Sequence, residues 1–292
     1  MNKVSVIGID IGDFSVKTSE NITFRSLITQ NDLKEEGNCI TIDKDKFYIG
    51  KGQPFTDFIK FRNKSFIPIF YSAIAESTSC NDVVIGLGLP ISYYHSCKDE
   101  LINIILSNNN KKINYNGSER IINIIDVDVF PESALIAPDG FSGVILDIGS
   151  STCDFCLIES INNETKIKEY SSVTKGIGNA KVEFIDSVNK TFGLNLTADD
   201  SDRILHHGLY INGIKKDISF NMAVFDEFVD DVIYEVSKKI SALNTHRILI
   251  TGGGGYTLFN RFKDKFGDAC ILDSNYMFSN AKSFKEMLEE DY

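Results

Sequence analysis

Two segments far apart in the chain spell the same local structure. Ile9-Asp10-Ile11-Gly12-Asp13-Phe14-Ser15 near the start is echoed by Leu146-Asp147-Ile148-Gly149-Ser150-Ser151-Thr152, which sets Asp10 and Asp147 137 positions apart. Each aspartate closes an apolar, β-branched run, and each is followed at once by glycine and small hydroxyl or acidic residues. Runs bounded in this way are buried strands entering a tight turn. A chain that begins again in its middle in this manner points to two related half-domains.

The repeated turn has the chemistry of a phosphate and metal site. Glycine lets the backbone approach closely, and turn N–H groups then donate to phosphate oxygens. A carboxylate at a strand end can hold Mg2+ through coordinated waters, which suits a hard cation that keeps part of its hydration shell. A lone Asp-x-Gly after a strand is also an ordinary turn. Two copies with matching flanks, joined by a third glycine cluster at Thr251-Gly252-Gly253-Gly254-Gly255, form a clamp for a polyphosphate, with the adenosine placed where the glycine run passes under a flat ligand.

Between these points the pattern is mixed α/β. Strands are expected at Val4–Asp10, Ser15–Lys17, Ser26–Ile28, Phe47–Gly50 and Val83–Pro90, and a hairpin over 112–129 turns at Asn116-Gly117. Apolar residues Ile67, Phe70, Tyr71 and Ile74 recur at one-face spacing and predict a helix over 66–77, followed by another over 96–106. In the second half, strands are expected at 143–150, 153–158 and 167–173, and helices at 179–191, 198–206 and 221–243. A strand at Ile248–Ile250, a helix over 256–266, a short strand at 269–272 and a helix over 280–290 complete the chain. The stretch from Leu194 to Ser219 leaves room for only a small outer subdomain.

Composition narrows the partners. A net charge of -11 over 292 residues repels a phosphate backbone unless a concentrated basic patch is present, and Lys111-Lys112 and Lys215-Lys216 read as solvated pairs. Direct nucleic-acid binding is therefore not expected. No apolar run approaches the length needed to span a bilayer, and Met1 to Ser5 leads straight into a strand rather than a signal peptide, so no membrane role and a cytoplasmic location are expected. Six cysteines are scattered; Cys153 and Cys156, three apart on a strand, face opposite sides and read as small buried residues. His95, His206, His207 and His246 pair with no acid or cysteine spacing.

At these motifs the chain resembles a known superfamily. The two aspartate loops are similar to the phosphate-1 and phosphate-2 motifs, and Ile248 to Gly254 to the adenosine motif, of the actin, heat-shock chaperone and sugar-kinase superfamily. Val129-Phe130-Pro131-Glu132-Ser133-Ala134-Leu135-Ile136-Ala137 resembles its first connecting helix, and the Pro-Glu-Ser form resembles the plasmid-segregating bacterial actins of the ParM/Alp family, as does Gly86 to Tyr94 with its Leu-Pro strand end. The resemblance implies two ribonuclease H-like domains with duplicated mixed β-sheets flanking a nucleotide cleft. It places domain I at 1–140 plus 274–292 and domain II at 141–273. It implies ATP, with GTP as the alternative, and Mg2+. Asp10 and Asp147 would coordinate the hydrated metal; Gly12, Asp13, Ser15, Gly149, Ser150, Ser151 and Thr152 would line the phosphates, and Lys17 would neutralise the β-phosphate. Lys17 also has a local warrant, since it alternates inward with Ser15 on the returning strand. Gly252, Gly253, Gly254 and Gly255 would meet the adenosine. Gly178, before a helix in Lys175-Gly176-Ile177-Gly178-Asn179, would be a further nucleotide contact, on the ribose side, although the segment lacks the Gly-Gly-Asp pattern of several relatives. Glu132 would orient or activate the attacking water; the other reading makes it a first-turn helix residue after Pro131, favoured by the dipole.

Three purposes fit this superfamily. A polymerising actin-like ATPase would segregate plasmid DNA through self-association into filaments and a DNA-binding adaptor protein. A sugar-type kinase would need an aspartate base and a sugar pocket, for which the sequence has no motif. A chaperone-like ATPase would need a client-binding domain, and a cell-shape or phage filament is a variant of the first case.

Overall fold

The computed structural model describes residues 3–31, 37–54, 57, 59–162, 164–241 and 243–290. The first strands are β1 (Val4–Ile11), β2 (Ser15–Thr18), β3 (Thr23–Arg25), β4 (Leu27–Thr29), β5 (Cys39–Ile42), β6 (Asp45–Ile49) and β7 (Gln53–Pro54). After a 3-10 turn at Lys60–Arg62 come α1 (Phe66–Ser77), β8 (Asp82–Leu89), α2 (Tyr94–Leu106), β9 (Asn110–Tyr115) and β10 (Ser118–Pro131). The chain then restarts with β11 (Gly143–Ile148), β12 (Cys153–Ile161), β13 (Glu164–Val173), α3 (Ile177–Phe192), α4 (Asp200–His207), β14 (Leu209–Ile211), β15 (Ile214–Lys216) and α5 (Ser219–Ser237). It finishes with β16 (Arg247–Thr251), α6 (Gly252–Phe266), β17 (Cys270–Leu272) and α7 (Ser279–Glu289). Two compact units result, Met1–Ala137 with Met277–Tyr292, and Pro138–Tyr276.

In the first unit a ten-stranded mixed sheet runs β3-β2-β1-β8-β10-β9-β5-β6-β4-β7. β1 pairs antiparallel with β2 and parallel with β8, and β8 is parallel to β10. The apolar positions read from the sequence fill its core: Ile7, Ile9, Val16, Ile69, Phe70, Ile74, Val83 and Ile85 lie among the buried residues. On the sheet's other face sits α7, and the glycines of the strands explain how it gets so close. A Cβ at Gly8 would collide with the Ala281 carbonyl, and Cβ atoms at Gly86 and Gly88 would meet Phe284. Phe284 stacks on Phe130 in the small core that results. The Gly86-Leu87-Gly88 strand end is thus a seat for the C-terminal helix.

The second unit repeats the plan. Its five-stranded sheet, β13-β12-β11-β16-β17, again has an antiparallel meander of three strands followed by two parallel ones, in the same order as β3-β2-β1-β8-β10. α3, α5 and α6 bury Phe184, Phe225, Val229 and Phe262 against Leu146 and Ile250. Gly193, at φ +66°, terminates α3 in the left-handed conformation that favours glycine.

The fold class is the mixed α/β arrangement with two sheets that the sequence implied. Three local expectations change, and one, the small outer subdomain, gains detail. Residues 132–134 form a turn and 135–137 irregular chain rather than a connecting helix, because β10 continues through Pro131, which pairs with Leu89. α5 ends at Ser237, six residues short of the expected 243: Ile240 and Leu243 keep apolar periodicity, but they are carried by a turn and a short 3-10 helix. Leu194–Ser219 holds α4 and a β14–β15 hairpin around Asn212 and Gly213, at φ 51° and 78°, the same left-handed pair as at Asn116-Gly117. Finally, the glycine run is the first turn of α6, so that helix starts at Gly252 and not at Tyr256. Met1, Asn2, Asp291 and Tyr292, at the ends of the expected domain I, lie outside the described residues.

Candidate functional site

Each aspartate loop is built as a hairpin with a closed turn. In the first, the register pairs Ile9 with Thr18, Asp10 with Lys17 and Ile11 with Val16, and the Gly12 N–H donates to Ser15 O at 3.1 Å. Lys17 Nζ lies 3.4 Å from Asp10 Oδ2, with side-chain exposures of 21 % and 11 %. The inward alternation expected of Ser15 and Lys17 therefore brings the lysine onto the strand-end carboxylate. Behind the turn, buried Ser26 donates its hydroxyl to Gly12 O at 2.6 Å and its N–H to Phe14 O at 2.9 Å. Lys60 donates to Ile11 O at 3.0 Å and pairs with Asp13 at 3.0 Å.

The second hairpin reproduces the first with every partner moved by 137 positions. Leu146 pairs with Phe155, Asp147 with Asp154 and Ile148 with Cys153, and the Gly149 N–H donates to Thr152 O at 2.9 Å. Facing Asp147 across the strands stands Asp154, only 4 % exposed. Asp154 accepts from the Thr152 hydroxyl at 3.1 Å and from the Ser172 hydroxyl. The turn rests on the start of α3: Ile177 N–H donates to Gly149 O at 3.0 Å and Gly178 N–H to Ser150 O at 2.8 Å. A side chain at Gly176 or Gly178 would strike Ser150. Gly178, read from the sequence as a ligand contact, thus spends its N–H on the loop and serves its packing.

The glycine run divides in the same way. A Cβ at Gly252, whose φ is +80°, would meet Asp147 Oδ1 and Ile148 O, one at Gly254 would meet Ile148, and one at Gly255 would meet Ile250. Only Gly253 of the four has open space there, and it is exposed. Three of the glycines thus let α6 press onto β11 and β16, beside Asp147. The first-turn N–H groups of a helix lack intrahelical partners and attract negative charge. Next to them Tyr256 stacks on Tyr276 with ring centroids 4.4 Å apart.

Glu132 follows β10 and donates its N–H to Leu89 O at 2.9 Å. Its neighbour Ser133 is fully buried at φ +68°, a conformation unusual for a residue with a side chain, and its N–H is accepted by Asn280 Oδ1 at 2.9 Å. α7 therefore fixes the turn that presents Glu132. Glu132 and Lys60 line one small cavity of the first unit together with Ile11, Gly88 and Leu89. Ser26, Lys60, Asp154 and Asn280 were not singled out from the sequence. Asp154 had a readable signal, since it stands seven positions after Asp147 as Lys17 does after Asp10. Asn280 had none, lying 147 positions from the residue it holds.

Cys153 and Cys156 are buried as expected. Burial, with Asp154 and Asp147 nearby, pushes the Cys153 thiol well up and the Cys156 thiol up to about 12, so both are neutral. Among the described residues no three His, Cys, Asp or Glu side chains gather as a metal cluster, and no helix is long and apolar enough to cross a membrane.

Residues 8–134 match the family model of the actin like proteins N terminal domain, a span inside the first unit. Solved structures match the chain along its whole length. Ta0583, an archaeal actin homolog in complex with ADP, is 19 % identical with a TM-score of 0.80, over 98 % of this chain and 99 % of that one. A 15-stranded ParM filament from Clostridium botulinum is 18 % identical at 0.80, over 99 % and 100 %. Bacillus thuringiensis ParM with AMPPNP is 16 % identical at 0.71, over 100 % of both. No curated protein matches. The fold is the actin-like one. Among actin homologues it resembles the bacterial ParM and Alp type, as the Pro-Glu-Ser and aspartate-loop motifs imply.

Proposed function

We propose that the chain is an ATPase that polymerises into nucleotide-dependent filaments and segregates plasmid DNA in the cytoplasm through a DNA-binding adaptor. The observation that carries the nucleotide reading is the pair of hairpins with one register and one Gly N–H to carbonyl bond in each turn. Filament formation is supported by the likeness to a ParM filament and to an Alp12 filament. An adaptor is required because the net charge of -11 opposes direct contact with DNA.

The donors fit a hydrated Mg2+ and a polyphosphate: hard carboxylate oxygens, hydroxyls, turn N–H groups and one ammonium, with no thiolate. Asp10 and Asp147 are the residues that would hold a hydrated Mg2+, which would supply charge neutralisation for the phosphates when bound. Lys17 neutralises phosphate oxygens from its place beside Asp10. Backbone N–H groups of the turns at Gly12–Ser15 and Gly149–Thr152 donate to them, with Ser15, Ser150 and Ser151 supplying hydroxyls. Thr152 plays a different part. A hydroxyl that donates to Asp154 has only lone pairs left to offer, so it would accept a hydrogen bond at the site rather than donate one to phosphate. Gly253, with the first turn of α6, receives the adenosine. Glu132 takes a proton from a water that attacks the γ-phosphorus, as the bond from that phosphorus to the bridging oxygen breaks and ADP leaves, and the turn locked by Asn280 sets its direction.

Sedimentation and light scattering with Mg–ATP, Mg–GTP and Mg–ADP test the proposal, with phosphate release followed in parallel. Assembly and phosphate release are expected with the triphosphate. No assembly over a range of protein and salt concentrations would remove the filament reading, and transfer of the γ-phosphate to a sugar instead of water would make the protein a kinase.

A further inference from the structure

The first turn carries a charge that its counterpart lacks. Asp13, next to Gly12, corresponds in the repeat to Ser150, a neutral residue. A carboxylate in a turn that receives phosphate oxygens repels them, and the repulsion is strong in a half-buried site of reduced dielectric. Lys60 lies against this charge, with Nζ 3.0 Å from Asp13 Oδ1 and side-chain exposures of 19 % and 26 %. The same Nζ donates to Ile11 O at 3.0 Å. With Ser26 on Gly12 O and Phe14 O, the carbonyls of the turn are thereby tied back from behind. Lys60 comes from the 3-10 turn before α1, 49 positions beyond Ile11, and the neutral second turn packs on α3 through glycines instead.

We propose that Lys60 is a positioning residue of the phosphate site: it masks the Asp13 carboxylate and holds the first turn in the shape that admits a nucleotide polyphosphate. The proposal rests on the nucleotide reading above. It assigns Asp13 to the site through its backbone alone, with the carboxylate a liability that Lys60 cancels. Lys60→Gln uncovers that carboxylate, and removing the charge as well restores binding.

The experiment titrates the full chain with a fluorescent ATP analogue and Mg2+, for wild type, Lys60→Gln and the double variant Lys60→Gln with Asp13→Asn, with thermal melts in parallel. Lys60→Gln is expected to weaken binding by about tenfold or more, and the double variant to return to within about threefold of wild type. Phosphate release at saturating ATP changes less than affinity does, so the effect falls on KM rather than kcat. If Lys60→Gln binds like wild type, the masking role is wrong. If the double variant folds and binds as weakly as the single one, Lys60 acts through packing and the proposal is overturned. Where Lys60→Gln alone fails to fold, the double variant is set against wild type: binding within about threefold supports the masking role, and binding about tenfold weaker or worse overturns it. A wild type that binds no nucleotide sinks the underlying reading instead, which separates the two failures.

Discussion

Laid on each other, the β1–β2 and β11–β12 hairpins agree in register, in turn length and in the hydrogen bond that closes the turn, and they part at the residue across from the aspartate. Opposite Asp10 stands Lys17, partly exposed and in reach of the carboxylate; opposite Asp147 stands Asp154, buried and satisfied by Thr152 and Ser172. The backbone frame was kept while the electrostatic task was divided. One hairpin supplies a cation, and the other spends a buried anion on orienting its hydroxyls. The glycines divide similarly: the second loop is braced by close packing on α3 and α6, the first by side chains of Ser26 and Lys60.

The largest effect is expected where the halves differ most. Glu132 has no acidic counterpart in the repeat: Val129 lies in register with Leu87 and Ile9 as Leu272 does with Ile250 and Leu146, so three residues on Asn275 stands where Glu132 does. Glu132→Ala should slow phosphate release by about 10²-fold or more while leaving ATP binding nearly intact. Unchanged hydrolysis would end its catalytic role. Next come the facing residues. Asp154→Asn should lower stability by about 1–3 kcal/mol, because the buried site must accept two hydroxyl donors, whereas Lys17→Gln should leave the melting temperature nearly still and weaken nucleotide binding. Equal melts for the two would erase the division proposed here. Among the glycines, Gly254→Ala should cost about 1–3 kcal/mol by forcing a methyl against Ile148, and Gly253→Ala should be stable but bind nucleotide less well. The smallest signal concerns Cys153 and Cys156. Both thiols are raised by burial, so at pH 8 they should stay protonated and react with a thiol reagent only on unfolding, as their ordinary acidity returns. Fast labelling of either in the native protein would contradict that.

Much of this frame could be read from residues alone. α1 runs over Phe66–Ser77 as its apolar spacing required, and the Asn116-Gly117 hairpin turns where expected. These elements carry their signals locally. The reading stopped where a residue's partner comes from a distant segment. Glycines that look like ligand contacts, Gly178 and Gly254 among them, also let another element pack closely on them, which no local pattern shows. The turn at Glu132 replaces an expected helix because Pro131 is held in a strand by Leu89 and Ser133 is held by Asn280. Lys60 gave no sign, since only folding brings it to Asp13.

Calorimetric titration of Mg–ATP into wild type, Asp10→Asn and Asp147→Asn tests most directly whether the two hairpins act as one phosphate and metal clamp. The account predicts that wild type binds and that each substitution weakens Mg–ATP more than metal-free ATP, by similar factors. Loss confined to one of the two variants would contradict it.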